Sequence, residues 1–393
     1  MYNQMFSPKE LYACATQVER RNSCLKKEAF VSAIDRELGQ SLFDGTYKFL
    51  IRKEGEFFLN GRKRTDFGYL CQNLVLRKLF RNIRRIYSVQ QADRNTIVSQ
   101  MKILMSEDVD MWVVRLDVRH FYETIDKHRL LLKMEDDARL SHHTIMLLQS
   151  LLNDPEVIAI SGVPRGLAVS AAIAEMYMKY FDLEMRRVAG VYYYARYVDD
   201  VIVFCSSEQS KDKAWGTAVE SLKKLGLELN EEKSYVWSTL QKGDALTYLG
   251  YTFTKSGKKV EVTIAEKKQK VIKTRLTRTF VRYAKDRDYE LLKLRIKFLT
   301  GNFTLCKADM LTPIKVGIYF NYKMATETAA LDAIDNYYQR LLHCRRGRLG
   351  ARIGLLRDQV KDLEKYSFRF GYDHHVTHHF TAEQMKKITN CWL

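Results

Sequence analysis

Two adjacent carboxylates, Asp199 and Asp200, follow Tyr197-Val198 between two runs dense in Tyr, Val, Ile and Phe. Such residues suit a pleated, half-buried surface, so Val191 to Val198 and Val201 to Cys205 are expected to be strands, with the acids at a tight turn. Carboxylates held there are costly unless they face solvent or a cation. A pair so placed offers the hard oxygen ligands with which divalent ions clamp a nucleoside triphosphate. It also serves as an ordinary Asp-rich hairpin cap, and the tetrapeptide alone leaves both readings standing.

The elements around it narrow the choice. Met111 to Asp117 reads as an apolar strand ending on a third carboxylate. Nucleotidyl transfer by two metals needs carboxylates from different strands, one of them bridging both ions. Antiparallel neighbours would bring Asp117, Asp199 and Asp200 together. The loop Gly162-Val163-Pro164-Arg165-Gly166 leads into a long helix expected over Ala168 to Val188, and its glycines let backbone approach a nucleotide. Helical periodicity is expected from Pro8 to about Phe49, over Phe67 to Tyr87 and Arg94 to Met105, from Lys127, over Ile145 to Leu152, and up to Gly226. A strand and turn are expected around Phe57 to Arg62 and a short hairpin over Ala245 to Phe253. From Ile264 onward the chain reads as mostly helical, and no repeat of fixed period is visible.

The chain has 393 residues with 46% hydrophobic and 12% aromatic content, which excludes a disordered protein and allows more than one lobe. A formal net charge of +18 favours a polyanionic partner, most simply nucleic acid. The excess is localised. Arg52 to Arg85 carries ten Lys and Arg against three acids, and Lys267 to Phe298 is basic and interleaved with Phe280, Tyr283 and Tyr289. Cations that track phosphates, mixed with aromatics that stack on bases, suit single-strand or hybrid binding; solvated helix faces are the plainer reading of each. Seven scattered cysteines without a Cys-x-x-Cys argue for a reducing compartment and against zinc ribbons or a disulfide framework. No leader or membrane span is visible, so a cytoplasmic location and no membrane partner are expected.

Five ordered segments resemble the reverse transcriptases over roughly residues 45 to 255. Leu116-Asp117-Val118-Arg119-His120-Phe121-Tyr122 is similar to the first palm motif and Tyr197-Val198-Asp199-Asp200 to the xxDD motif. Gly162 to Ser170 is similar to the intervening template and nucleotide-binding motif, Leu225 to Lys233 to the Gly…Lys motif, and Tyr248-Leu249-Gly250 to the primer-grip hairpin. The resemblance implies an α+β right-hand polymerase with an antiparallel palm sheet. Fingers with an N-terminal helical extension would occupy residues 1–110, the palm 111–255, a helical thumb 256–310 and a helical appendage 311–393.

The implied metal ligands are Asp117, Asp199 and the main-chain carbonyl of Val118, supported by Asp200, around two Mg²⁺ ions with Mn²⁺ as a substitute. Tyr122 takes the position whose ring excludes a ribose 2′-hydroxyl, although a tyrosine on a first helical turn is also an ordinary core residue. Lys53, Arg62 and Arg64 match the fingers region that grips the triphosphate, and Arg165 and Gly166 lie in the nucleotide-binding motif. Lys233 is the implied proton donor to pyrophosphate; an exposed lysine near a turn is its plainer reading.

Arg165 stands where retroviral-type enzymes commonly have glutamine, adding a charged fork of donors beside the nucleotide or template base. With Phe121 to Asp126 and Arg295 to Phe303, it makes the chain resemble bacterial antiphage-defence reverse transcriptases, closest to one partner of two-polymerase systems that work with a noncoding RNA. That resemblance implies dNTPs, RNA and a DNA product as partners, a second reverse transcriptase and a higher oligomer, and synthesis without a conventional template or from a protein hydroxyl. The rival readings are a retron or group II intron-like enzyme copying a dedicated RNA, and a catalytically idle scaffold. His374, His375, His378 and His379 would lie one turn apart in pairs if helical, a spacing able to hold zinc; a surface or nucleic-acid-facing helix end is the preferred reading.

Overall fold

The computed structural model describes residues 2–240, 245–305 and 314–392. The chain forms two compact units, Met1–Asp93 with Asp110–Leu240, and Arg94–Val109 with Gln241–Leu393. Both mix helices with antiparallel sheet.

The first unit contains β1 (Ile51–Glu54), β2 (Phe57–Asn60), β3 (Trp112–Asp117), β4 (Val191–Tyr197), β5 (Asp200–Cys205) and β6 (Tyr235–Ser238). β1 and β2 form a hairpin, and the other four form one antiparallel sheet in the order β4-β5-β3-β6. The central strands β3 and β5 bury Val113, Val114, Leu116 and Val201 to Cys205, hence their nearly continuous apolar character. Their register pairs Trp112 with Cys205 and ends with Asp117 opposite Asp200. The helix Phe67–Ile86 buries Leu74, Val75, Leu79 and Ile83 at helical spacing.

The stretch expected to be helical from Pro8 to Phe49 is divided into Pro8–Tyr12, Gln17–Asn22 and Lys27–Phe43. Thr16 and Glu19 form a capping box that starts the second helix afresh. Glu19 has a second task. Its two oxygens accept 2.7 Å bonds from the Arg77 guanidinium, which is almost wholly buried. Lys78, equally buried, bonds Glu10 and the Asn3 carbonyl. These two cations of the basic Arg52–Arg85 stretch are therefore internal struts, whereas Lys63, Arg64, Arg84 and Arg85 are exposed.

The second unit holds β7 (Leu246–Tyr248), β8 (Tyr251–Ser256) and β9 (Lys259–Ile264) as a three-stranded antiparallel sheet. Leu249 and Gly250 turn β7 into β8 with φ of 46° and 81°, the type I′ pattern, and Arg94 clamps the Leu249 carbonyl with bonds of 2.9 and 2.6 Å. Two long helices follow, Glu266–Asp286 and Tyr289–Thr300. The region read as helical also contains a two-stranded ladder, β10 (Asn302–Leu305) with β11 (Ile314–Gly317). Asn302 explains it. Its buried amide donates to the Gly371 and Val376 carbonyls and accepts from Tyr319 N–H, while its backbone bonds Val376 and His378.

That pairing decides the histidine cluster. The helix Phe368–Asp373 ends before it, His375 sits at φ 52°, and Thr377 bridges Asn302 as parallel strand. The one-turn helical spacing of His374/His378 and His375/His379 is not formed. His374 stacks instead on Phe370 at 4.0 Å, and His375 lies 3.7 Å from the Tyr319 ring centre. Among the described residues no helix is long and apolar enough to cross a membrane.

Removing one partner of a buried ion pair strands the other charge. Glu19→Ala is therefore expected to lower the unfolding free energy by about 3–5 kcal/mol, read from denaturant midpoints. A loss within the range of exposed pairs, about 1 kcal/mol or less, would show that Arg77 finds other partners or water.

Candidate active site

Asp117 and Asp200 end neighbouring strands directly opposite one another, and Asp199 occupies the two-residue turn before β5. The Val118 N–H donates to the Asp199 carbonyl at 3.2 Å, tying the turn to the end of β3. Val198 opens that turn at φ 60°, where glycine is usual and a β-branched side chain is strained. Like charges opposite each other in a ladder destabilise it unless cations intervene.

Two cations do so. The Lys233 ammonium lies 3.2 Å from Asp117 Oδ1, and Arg115, two residues before Asp117 on the same sheet face, reaches Asp200 at 3.4 Å. Arg196 bonds the Val198 carbonyl from the far side of the turn at 2.8 Å. Burial raises the Asp199 carboxyl above its ordinary range, and the charges of Asp200 and Asp117 push the same way. Burial also raises Asp200, against the opposing pull of Arg115.

The segment after Leu229 wraps Asp117. Leu229 bridges Val118 through bonds that use the Asp117 and Glu228 carbonyls and leave that of Val118 out of the ladder. Asn230 donates its amide to Asp117 Oδ1 at 2.9 Å, and the Ser234 hydroxyl accepts the Asp117 N–H at 3.0 Å. Asn230 lies inside the Gly…Lys motif and Ser234 directly follows it, but the sequence assigns neither a role.

Gly162 to Gly166 lies against the Tyr122 backbone. Val163 donates to the Tyr122 carbonyl at 2.9 Å, and a Cβ at Gly162 would overlap that carbonyl. Gly166 has φ 96° beside Phe57 and the Phe58 carbonyl, so it too admits only glycine without strain. Arg165 accepts from Phe58 N–H through its own carbonyl at 2.7 Å, and its guanidinium is held by both oxygens of Glu123 at 2.6 and 3.0 Å. The same guanidinium lies 5.5 Å from the Tyr122 ring centre. Burial, then the charges of Glu175 and Asp199, raise the Tyr122 phenol, which stays protonated at neutral pH.

The remaining candidates are less gathered. Arg62 is half-buried and donates to Gln72 at 3.1 Å, while Lys53 and Arg64 are exposed on and after the β1–β2 hairpin. Among the described residues no three His, Cys, Asp or Glu side chains stand as a ready-made metal ligand set. The donors at the β3–β5 edge are nonetheless all oxygen and mutually repelling, the chemistry that suits Mg²⁺ or Mn²⁺.

The raised Asp199 carboxyl has a consequence for stability. An acid whose folded pKa exceeds its unfolded value favours folding below the unfolded value, and this is lost as pH rises through the folded one. Asp199→Asn is accordingly expected to raise the melting temperature at neutral pH, with the gain shrinking toward pH 4. Millimolar Mg²⁺ should raise the wild-type melting temperature and leave this variant nearly unmoved. Thermal scans at several pH values check both; a variant less stable than wild type at neutral pH would contradict the charge argument.

Residues 66–253 match the family described as reverse transcriptase (RNA-dependent DNA polymerase). No curated protein matches the chain. Among solved structures it is similar to apo telomerase from Candida tropicalis truncated from its C-terminal domain, at 14% identity and TM-score 0.38, covering 55% of this chain and 54% of that one. Telomerase from Candida albicans in complex with a TWJ fragment of telomeric RNA matches at 11% identity and TM-score 0.38, with 80% and 63% covered. Its Candida tropicalis counterpart with the same kind of fragment matches at 13% identity and TM-score 0.38, with 81% and 56% covered. The chain thus spans less than two thirds of the length of each. The likeness to the reverse transcriptases (RNA-dependent DNA polymerases) is thus carried by residues 66–253, a little under half of the chain.

Proposed function

We propose that the chain adds deoxynucleotides to a 3′-hydroxyl, or to a protein hydroxyl, and releases pyrophosphate. The observation that carries this reading is the register that sets Asp117 opposite Asp200, with Asp199 in the adjoining turn and Lys233 on Asp117. Asp117, Asp199 and the Val118 carbonyl would hold the divalent cations, with Asp200 in support. When bound, Mg²⁺ or Mn²⁺ supplies Lewis-acid activation of the hydroxyl and neutralises charge at the α-phosphate. Lys233 holds a proton within reach of this centre and donates it to the departing pyrophosphate once a nucleotide displaces it from Asp117. Tyr122, packed by Arg165 and the Gly162 loop, presents its ring to the sugar and disfavours a 2′-hydroxyl. Lys53, Arg62 and Arg64 neutralise the triphosphate, Arg62 by leaving Gln72. Arg165 and Gly166 line the nucleotide or template side.

In this reading residues 1–110 are fingers, 111–255 palm, 256–310 thumb and 311–393 a C-terminal appendage. The net charge of +18 supports RNA and a DNA product as partners. The motif combination around Arg165 supports a cytoplasmic role in bacterial antiphage defence, with a noncoding RNA and a second reverse transcriptase in a higher oligomer.

Incorporation of labelled dNTPs by the purified chain, with and without RNA and partner proteins, tests the proposal. Wild type should incorporate with Mg²⁺ or Mn²⁺, and Asp117→Asn or Asp199→Ala should reduce the rate by roughly 10²–10³-fold or more. Absence of synthesis under every condition would sink the reading in favour of a scaffold, and equal rates in Asp199→Ala would sink the site. Abolition by RNase after assembly would favour copying of a dedicated RNA. Tyr122→Val should raise rNTP use relative to dNTP by about 10- to 100-fold, measured as the ratio of kcat/KM values.

A further inference from the structure

Arg196 is the most thoroughly bound side chain near the carboxylates, and none of the roles above uses it. It lies on β4 with its side chain 4% exposed. Nε and Nη2 donate to the two oxygens of Asp182 at 2.7 and 2.8 Å, Nη2 also donates to Glu175 at 2.7 Å, and Nη1 donates to the Val198 carbonyl at 2.8 Å. The Tyr194 hydroxyl completes the cluster with a 2.6 Å bond to Asp182. Asp182 and Glu175 stand on successive helices, Lys179–Arg187 and Ala168–Tyr177, packed behind the sheet. A buried guanidinium could be neutralised by one carboxylate; here two hold it in one plane, and Nη1 turns one of its N–H bonds to the turn.

That last bond has a particular target. Val198 carries the positive φ that a β-branched residue resists, and Asp199 follows it directly. We infer that Arg196 is a positioning residue which, anchored by Asp182 and Glu175, holds the strained Val198 peptide and thereby sets where the Asp199 carboxylate points. The inference rests on the polymerase reading for its catalytic consequence, but its geometric content does not depend on it. Arginine is required because the four bonds leave a planar fork in three directions; a lysine ammonium donates from a single point and cannot reach both anchors and the turn.

The test compares wild type, Arg196→Lys, Asp199→Asn and, as a stability control, Leu148→Ala, which truncates a fully buried side chain with no part in the site. Mn²⁺ binding is read by electron paramagnetic resonance, and dNTP incorporation on an oligo(dT)-primed poly(rA) substrate gives kcat and KM. Arg196→Lys should weaken Mn²⁺ binding and lower kcat by about 10- to 100-fold, with KM for the nucleotide within about twofold of wild type. Leu148→Ala should lose as much thermal stability yet keep Mn²⁺ affinity and kcat per folded molecule. Wild-type Mn²⁺ affinity in Arg196→Lys, or an equal loss in Leu148→Ala, overturns the inference. A wild type that binds Mn²⁺ but incorporates nothing counts against the polymerase reading, while the Mn²⁺ comparison still decides the role of Arg196. Should Arg196→Lys fail to fold, Glu175→Gln, which removes one anchor and keeps the fork, should show the same losses in smaller measure, and wild-type values there overturn the inference equally.

Discussion

Two carboxylates face each other across the end of an antiparallel ladder, and a third stands in the turn beside them. The register of β3 and β5, unbroken from Trp112 opposite Cys205, sets Asp117 opposite Asp200. Like charges are therefore held together at the end of two buried apolar strands. The neighbourhood is arranged around that constraint: Lys233 and Asn230 on Asp117, Arg115 on Asp200, and Arg196 behind the turn. Burial raises the carboxyls of Asp199 and Asp200, and the neighbouring cations do not offset it. An edge left short of positive charge is one that a divalent cation would stabilise.

The positive charge of the chain divides along the same physical line. Arg77, Lys78, Arg196 and Arg295 are buried, and for the first three the partners are acids that cancel them within the fold. Others, such as Arg64, Arg84 and Arg85, stand exposed and contribute to the field a polyanion would meet. Charge counting along the sequence treats both kinds alike. Desolvation separates them, since an unpaired guanidinium inside a protein is too costly to persist.

The sequence was most informative where a local rule and the tertiary structure demand the same thing. The β4–β5 hairpin, the strand ending at Asp117 and the glycine loop were all legible, because apolar runs, turn acids and glycines act over a few residues. The approach of three acids was legible only as an expectation, since register is a property of two strands. Short pieces escaped: β1, β6 and β9, and the β10–β11 ladder in a region of helical periodicity, which begins at the buried Asn302. The histidine cluster shows the limit most plainly. Its spacing fits a helix, but His374 and His375 form a turn, and bonds from Asn302, more than seventy residues away in the chain, hold Val376 to His378 outside any helix.

By itself, then, the sequence determined the types and order of the candidate site groups: Asp117, the Gly162 loop, Asp199-Asp200 and Lys233, with a net positive charge suited to a polyanion. Residue identity and short-range spacing suffice for that. The tertiary structure alone decided which cations serve the site and which serve the core. It gave Lys233 to Asp117, Glu123 to Arg165 and Glu19 to Arg77, and it set Arg196 against the strained turn. The reason is that ion-pair choice depends on distance and desolvation, and both are settled only when segments far apart in the chain are packed together.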